Sequence, residues 1–384
     1  MRRSIYTAEH EDFRQVFRAF LQTEVVPFHE EWRRSGTPRE LYRKLGELGV
    51  MGFGVPEEYG GPGEVSYRYQ AVIAEETARA AVDLGIYTVT TGIVLPYLLN
   101  LATAEQRSRW FPSIVSGDIV LAIAMTEPGT GSDLAGIRTS ATKDEGVYRL
   151  NGAKTFITGG RDADLVIVVA RTSPSGSAGE DRRSGLSLLV VERGAEGFEV
   201  GRRLKKIGQH AIDTSELSFA DVIVPAENLL GEEGRAFAHL SQNLPRERLA
   251  IGISAVATAD AAVRLARDYA RDRQVFGHSL AGFQNTKFVL AGCATKVEAA
   301  QALADRALEL EDVGELSVAD AAKVKLFCTE VAGEVIDQCL QLHGGYGYMT
   351  EYPIARLYAD TRVTRIYGGT SEVMKTIIAK DLGL

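Results

Sequence analysis

The sequence predicts an α+β protein made of three successive regions, of which the first and last are helical and the middle one is β. In the first 117 residues and again after residue 231, apolar side chains recur every three or four positions, as in amphipathic helices. Between these regions the apolar runs are short, rich in β-branched residues and bounded by turn residues. No βαβ alternation and no G-x-G-x-x-G after a strand is present, so a doubly wound nucleotide-binding fold is not predicted. We expect domains at 1–117, 118–230 and 231–384.

The first region predicts four helices interrupted by one loop. The loop is Pro56–Gly63, where glycine and proline break the helical period. Pro96 lies inside the last apolar segment and predicts a bend there. The helical segments lie at 13–32, 39–49, 69–81 and 92–103.

The middle region predicts a β domain. Asn151 and Gly152 lie between two strand-like runs, and both residues tolerate positive φ, so we expect a hairpin turn at this pair. The apolar runs at 165–172 and 185–193 predict two further strands, and the last strand is expected to end at Pro225. Residues 172–184 have the composition of an exposed, mobile loop.

The third region predicts long alanine-rich helices at 248–274, 283–311 and 318–345, the last ending at glycines. Their lengths suit a four-helix type of bundle. Pro245 is typical of the first turn of a helix, and Glu247 would then lie in that turn.

Composition limits the classes of function. With 384 residues, 45% of them hydrophobic, the chain can fill the cores of two or three domains. A net charge of −8 disfavours nucleic acid or anionic lipid as the main ligand. The N-terminus has no unbroken apolar segment, so neither a signal peptide nor a membrane span is expected. The three cysteines lack metal-ligand or disulfide-framework spacing, which predicts reduced buried thiols and a soluble cytoplasmic protein.

Three blocks of sequence carry a resemblance that runs over nearly the whole chain. They are AIAMTEPGTGSDLAGIRTSA (Ala122–Ala141), RDRQVFGHSLAGFQ (Arg271–Gln284) and the segment Gln341–Glu372, which begins QLHGG and ends IYGGTSE. Together they resemble the acyl-CoA dehydrogenase family. The resemblance implies an N-terminal α-helical domain, a middle β-barrel or sandwich domain and a C-terminal four-helix bundle.

The resemblance also implies an FAD cofactor and a homo-oligomer, usually a tetramer. In the first block, glycines and a proline hold a tight turn whose amides and hydroxyls can reach a polar ligand. QLHGG corresponds to a helix end that approaches the FAD from a neighbouring subunit, while Arg273 and Gln284 correspond to residues at the FAD pyrophosphate. Many relatives have tryptophan where this chain has Phe156. The implied cofactor-binding residues are Met125, Thr126, Gly131, Ser132, Phe156, Thr158, Arg273, Phe276, Gln284, Gln341, Gly344, Gly345, Thr370 and Glu372.

Gly368 stands where many family members carry the catalytic glutamate, so the implied chemistry needs its base from elsewhere. A minority of relatives, including long-chain and isovaleryl-type enzymes, supply it from a helix of the third domain. Here Glu247 lies at the matching position of NLPRERLAIG. The backbone amide of Gly368 is expected to remain a donor to the thioester carbonyl. Ser132, Arg248 and Gly369 are the implied substrate-binding residues, with Arg248 at the CoA part.

The implied reaction is α,β-dehydrogenation of an acyl-CoA, with electrons passed to an electron-transfer flavoprotein. Three alternatives remain open from the sequence: an acyl group on acyl carrier protein, electron transfer to oxygen as in acyl-CoA oxidases, and a non-enzymatic paralogue. The acyl cavity is expected to be floored by Thr90–Asn100. Pro96 and Ala238 leave the acyl length undecided.

Overall fold

The computed structural model describes residues 3–63, 65–173 and 182–384. Its N-terminal part is helical, as predicted. α1 continues into a π-helical turn at Leu21–Val25, and a second π-helical stretch at Val89–Val94 runs directly into α5. The α-helices are α1 (Ala8–Phe20), α2 (His29–Ser35), α3 (Arg39–Glu47), α4 (Arg68–Arg79), α5 (Leu95–Leu101) and α6 (Ala104–Val115).

Pro96 is the second residue of α5, which follows the π-helical stretch without a break. The change of helical geometry that the sequence predicted as a bend therefore lies one or two residues before the proline. At this point the wide π-helical geometry of Val89–Val94 changes to the α-helical geometry of α5.

The middle part forms an eight-stranded sheet with the order β6-β7-β3-β2-β4-β5-β8. β1 and β2 both pair in parallel with β4, β2 at a single position, whereas β5 pairs with β4 antiparallel. Apart from end residues, β4 and β5 are buried, because both of their faces are covered. The strands are β1 (Leu121–Ala124), β2 (Ser140–Asp144), β3 (Val147–Thr158), β4 (Leu165–Arg171), β5 (Leu186–Glu192), β6 (Phe198–Arg203), β7 (Thr214–Pro225) and β8 (Leu229–Leu230).

The hairpin predicted at Asn151-Gly152 is wrong. Both residues lie inside the single strand β3, at a bulge in its pairing with β7. The turn is made instead by Glu145 and Gly146, which both have positive φ. Asn151 exchanges two hydrogen bonds with Asp221 across the bulge, at 3.0 and 2.9 Å. An Asn-Gly pair satisfies the positive φ of a bulge as well as that of a turn.

Part of the loop predicted at 172–184 lies outside the described residues, since these stop at 173 and resume at 182. The last long strand ends at Pro225 as predicted. A further two-residue strand, β8, then pairs with β5.

The C-terminal part is a helical bundle around one central helix, α7. The helix predicted to begin at Pro245 begins at Ala236 instead, so Glu247 lies in the helix interior rather than in its first turn. Pro245 is accommodated within the helix, although it gives up one backbone hydrogen bond. The elements are α7 (Ala236–Asp272), β9 (Gln274–Val275), β10 (His278–Ser279), α8 (Gln284–Asp312), α9 (Val318–Leu342), α10 (Pro353–Thr361) and α11 (Ser371–Asp381).

Among the described helices, α7 alone is long and apolar enough to cross a membrane by length and composition. Most of its apolar stretch is buried, and it packs against α4, α8 and α9, as the core helix of a bundle does. The three cysteines lie in α8 and α9 and are buried, as predicted, and no disulfide bond joins them.

Candidate active site

Glu247 is a buried carboxyl held by a tyrosine from another domain. Its side chain is 5% exposed on the face of α7 that meets α5. The hydroxyl of Tyr97 donates a hydrogen bond of 2.8 Å to Glu247 Oε1. Burial raises the pKa of Glu247 to about 7, against the opposing effects of the Tyr97 hydrogen bond and the Arg248 charge. A carboxyl with this pKa can take up a proton near neutral pH.

Arg248, beside Glu247, is a buried cation without a partner in the described chain. It is 5% exposed, it takes part in no hydrogen bond or ion pair with described residues, and its Nε is fully buried. Burial lowers the pKa of Arg248, and the Glu247 carboxyl only partly offsets this. A guanidinium in this state indicates a site for an acceptor or anion supplied by a ligand.

Lys325 of α9 holds the glycine loop (residues 364–370). The lysine is 1% exposed and donates to the carbonyls of Thr364 and Gly369, at 3.0 and 2.7 Å. Burial and the nearby charge of Arg248 lower the pKa of Lys325 to about 8. The loop is thereby fixed against α9.

Gly368 faces the same side of α7 as Glu247. A Cβ at this position would lie 2.5 Å from Cδ1 of Ile251, and Ile251 is one helical turn beyond Glu247. The φ of Gly368 is +64°, in the left-handed region that favours glycine. The two residues that the sequence linked by chemistry therefore lie against one stretch of one helix.

A second group of predicted residues lies in the signature loop (residues 125–136), between β1 and β2. The loop is tied to β3 by a buried ion pair, since Lys154 Nζ donates to Glu127 Oε1 at 2.9 Å and to the carbonyl of Met125 at 3.0 Å. Glu127 also accepts the backbone N–H groups of Arg138 and Thr139. Within this rigid frame Met125 and Thr126 are half-buried, while Gly131 and Ser132 are exposed.

Phe156 lies on strained backbone next to this loop. Its φ is +59°, and it sits in a bulge where β3 shifts register against β7. The side chain is 67% exposed, which is unusual for a phenylalanine on an interior strand of a sheet. Thr158, two residues on, is half-buried. The bulge therefore presents an aromatic face outward, and a planar ligand can stack on it.

A third group meets at the far end of α7. Arg273, Gln341, Gly344 and Gly345 line one cleft of about 450 Å³. The guanidinium of Arg273 lies 5.6 Å from the ring centre of Tyr346. His343 is buried in the floor, where its ring stacks on Tyr269 and its Nδ1 lies 2.8 Å from the carbonyl oxygen of Cys339.

Two further predicted residues flank this cleft on exposed positions. Phe276 is 94% exposed with a φ of +50° in the turn between β9 and β10. Gln284 is the first residue of α8 and is also exposed. Thr370 and Glu372 lie elsewhere, at the start of α11, where the Thr370 hydroxyl accepts the N–H of Val373.

The cleft at Arg273 and the carboxyl of Glu247 lie far apart in one chain. They are separated by 25 residues of the unbroken helix α7, or about 38 Å at 1.5 Å per residue. The predicted pyrophosphate residue Arg273 is therefore distant from the predicted base Glu247 within one chain.

Comparison with known proteins identifies the family of this chain. Three family models match consecutive parts of the chain: the acyl-CoA dehydrogenase N-terminal domain at residues 7–118, the middle domain at 122–222 and the C-terminal domain at 234–383. The chain belongs to the acyl-CoA dehydrogenase family. It is 43% identical to the mitochondrial long-chain specific acyl-CoA dehydrogenase of Sus scrofa, over 99% of this chain and 88% of that one. It is also 38% identical to the acyl-CoA dehydrogenase of Bacillus subtilis (strain 168), over 98% of both.

A crystal structure of an acyl-CoA dehydrogenase from Geobacillus kaustophilus superposes with a TM-score of 0.95, at 44% identity and with 99% of each chain covered. The predicted acyl-CoA dehydrogenase fold is thereby confirmed. The family is one of flavoproteins, and its named members here are enzymes of fatty acid metabolism. The domain boundaries and the roles of individual site residues stay predictions.

The residues of this family member fit a flavin. The exposed Phe156 offers a stacking face, and side chains added at Gly131, Gly344 or Gly345 would meet no atom within 4 Å, so the backbone there is open to a ligand. Sequence reasoning missed two residues of the site, Tyr97 and Lys325. Tyr97 lies within the predicted cavity floor, but its hydrogen bond to Glu247 joins residues 150 positions apart.

Proposed function

We propose that the protein catalyses FAD-dependent α,β-dehydrogenation of an acyl-CoA thioester to the trans-2-enoyl-CoA, with Glu247 as the base. The observation that carries this proposal is the Glu247 carboxyl, which is buried, held by Tyr97 and has a pKa of about 7. Gly368, where many relatives have their glutamate, lies against the same stretch of α7. Glu247 and Gly368, far apart in the sequence, thus lie close together, so Glu247 can supply the carboxylate that is absent at position 368.

The reaction removes a proton from Cα of the acyl chain and a hydride from Cβ. FAD, when bound, supplies the hydride acceptor at its N5 atom. Glu247 takes the α proton through Oε2, because Oε1 is occupied by the Tyr97 hydroxyl. Its raised pKa increases its affinity for this proton, which suits a weakly acidic carbon.

The glycine loop stabilises the charge that develops on the thioester oxygen. The backbone N–H of Gly368 is the proposed donor, and Lys325 fixes the loop by binding the carbonyls on either side of it. A donor held before the reaction begins needs no reorganisation in the transition state. Gly369 would lie beside the substrate in the same loop.

Arg248 would contact the CoA part of the substrate. Its buried guanidinium has no hydrogen-bond partner among the described residues. An acceptor group on the substrate would offset the free-energy cost of burying this guanidinium unpaired. Ser132, exposed on the signature loop, would meet both substrate and flavin.

The flavin would be held by two sets of residues. Met125, Thr126, Gly131, Ser132, Phe156 and Thr158, with Thr370 and Glu372, would surround the ring end. The Arg273 cleft and Gln284 would bind the pyrophosphate. Because about 38 Å of helix separates the cleft from Glu247, one dinucleotide cannot reach both in one chain. We therefore infer a homo-oligomer, a tetramer by family resemblance, in which the cleft serves the flavin of a neighbouring subunit.

An electron-transfer flavoprotein is the proposed electron acceptor and the cytoplasm the proposed location. The test is anaerobic reduction of the flavin by a panel of straight and branched acyl-CoAs, each compared with the same chain on acyl carrier protein. We expect bleaching of the flavin with CoA thioesters and formation of one enoyl-CoA per flavin. Faster bleaching by the carrier-protein thioester would favour that alternative. Stoichiometric hydrogen peroxide in air would favour an oxidase, and no bleaching by any thioester would overturn the proposal.

A further inference from the structure

We propose that Tyr97 is the positioning residue of the base: its hydroxyl fixes the carboxyl of Glu247 and keeps it ionisable inside the acyl site. This proposal rests on the proposed function. Tyr97 is fully buried, and its hydroxyl makes the one hydrogen bond that Glu247 receives among the described residues. The bond crosses from α5 in the N-terminal domain to α7 in the bundle.

The placement of this contact is enforced by the fold. One turn along both helices, Nδ2 of Asn100 donates to Oδ1 of Asn243 at 3.2 Å, so α5 and α7 run antiparallel with two polar contacts in register. The π-helical stretch at Val89–Val94 comes immediately before α5. A wide helical turn of this kind rotates the side chains that follow it, and such turns are frequent at functional sites.

The hydrogen bond assigns different tasks to the two carboxyl oxygens. Oε1 accepts from Tyr97, so Oε2 is left to face the substrate and take the proton. A buried carboxylate without this donor would be free to rotate. It would also lose the hydrogen bond that favours its charged form.

Few titratable side chains among the described residues interact with Glu247. Arg248 lies on the same helix, Tyr97 comes from α5, and Tyr67 precedes α4 and interacts electrostatically with Glu247. From α9, Lys325 lies near Arg248, whose charge helps to lower the pKa of Lys325. The pKa of Tyr97 is raised well above 10 by burial and by Glu247, so its hydroxyl stays a donor throughout any practical pH range.

The test compares Tyr97→Phe with the control Tyr87→Phe. Tyr87 is a second buried tyrosine just before the π-helical stretch, and its hydroxyl donates to the carbonyl of Val50 at 3.3 Å, away from Glu247. Two quantities are measured against pH: the rate of anaerobic flavin reduction by an acyl-CoA, and the carboxyl C=O stretch in difference infrared spectra without substrate. The band of Glu247 is assigned by its disappearance in Glu247→Gln.

We expect the infrared titration of Glu247 near pH 7 in the wild type and about one to two pH units higher in Tyr97→Phe, because a hydrogen bond to a carboxylate favours the charged form by that order. The acid limb of the reduction rate should move upward by the same amount. At neutral pH the rate should fall about five- to fiftyfold, while KM changes little. Tyr87→Phe should leave both profiles in place.

Unchanged pH profiles in a folded Tyr97→Phe protein would overturn the proposal, and so would an equal shift in Tyr87→Phe. Failure of the proposed function looks different. In that case Glu247→Gln is reduced as fast as the wild type, or no acyl-CoA reduces the wild type at all.

Discussion

Glu247 and Gly368 show at the level of single residues how this chain accommodates its chemistry. Glu247 occupies the interior of α7, where burial raises its pKa and Tyr97 fixes its orientation. Gly368 occupies a backbone conformation that a larger residue would strain, and its missing side chain leaves room for Ile251. The environment of each residue suits the role proposed for it. A glutamate at position 368 would be strained by the positive φ and would clash with Ile251.

Replacement of Gly368 by alanine should therefore destabilise the protein. Positive φ costs a non-glycine residue about 1–2 kcal/mol, and a Cβ 2.5 Å from Ile251 adds an overpacking cost of about 1–3 kcal/mol. The free energy of unfolding in urea measures the sum, and adding Ile251→Val should recover part of it. Gly292→Ala, on α8 with open space around it, should instead be neutral or stabilising. Equal effects at the two glycines would contradict this account.

The raised pKa of Glu247 makes a stability prediction with a definite sign. Between the ordinary value of 4.5 and about 7, the unfolded chain loses the Glu247 proton while the folded protein keeps it. The stability that this carboxyl contributes is thus complete below pH 4.5 and is lost as pH rises through about 7. The loss is about 3 kcal/mol at about 1.4 kcal/mol per pKa unit.

Glu247→Gln should remove this dependence. The difference in free energy of unfolding between variant and wild type is measured at pH 5 and pH 8 with excess FAD present. It should move in favour of the variant by about 2–3 kcal/mol as pH rises. A difference that does not change with pH would show that Glu247 titrates normally.

At the level of elements, the signature loop depends on one buried ion pair between β3 and the residues after β1. Lys154 is buried and binds both Glu127 and the carbonyl of Met125, and burial lowers its pKa to about 8. Breaking a buried pair leaves an unpaired charge, which costs far more than loss of an exposed pair.

Lys154→Met should cost about 3 kcal/mol or more and should lower the fraction of flavin retained on purification. The control Lys143→Met removes an exposed ion pair with Glu233 and should cost less than about 1 kcal/mol. The free energy of unfolding is measured in urea, and flavin retention is measured as the ratio of flavin to protein. Full flavin retention in Lys154→Met would show that the loop does not depend on this pair.

The helical or strand type of most elements was predicted from the sequence. The misplaced elements are those whose local sequence is compatible with two different structures. The pair Asn151-Gly152 is compatible with a β-bulge as well as with a hairpin turn. Pro245 is typical of the first turn of a helix, but here it is tolerated in the helix interior. Glu247 and Gly368 were identified through family resemblance. Tyr97 and Lys325 could not be found from the sequence, because their contacts join distant parts of the chain and no periodicity records them.

At the level of the whole molecule, the separation between Glu247 and the Arg273 cleft decides how sites are shared among subunits. If the cleft binds the flavin of a neighbouring subunit, each complete site takes its base from one chain and its Arg273 from another. Two chains with different defects can then form one intact site.

Mixed oligomers of Glu247→Gln and Arg273→Ala subunits should recover activity. In a mixed pair, one site carries both defects and the other carries neither, so about half of the wild-type activity per mixed pair is expected if the sites act independently. The two variants are co-expressed with different affinity tags, and the doubly tagged species is assayed. Activity no higher than that of the pure variants would place the cleft and the base at the same subunit's flavin.

The most direct test of the central claim, that Glu247 is the base, is the rate of anaerobic flavin reduction by an acyl-CoA in Glu247→Gln. The control is Glu311→Gln, which alters another partly buried carboxyl of the bundle, 3.6 Å from Arg246. We predict a rate at least about a hundredfold below wild type in Glu247→Gln, with flavin content and acyl-CoA binding retained, and a nearly unchanged rate in Glu311→Gln. Reduction of Glu247→Gln at the wild-type rate would contradict the account.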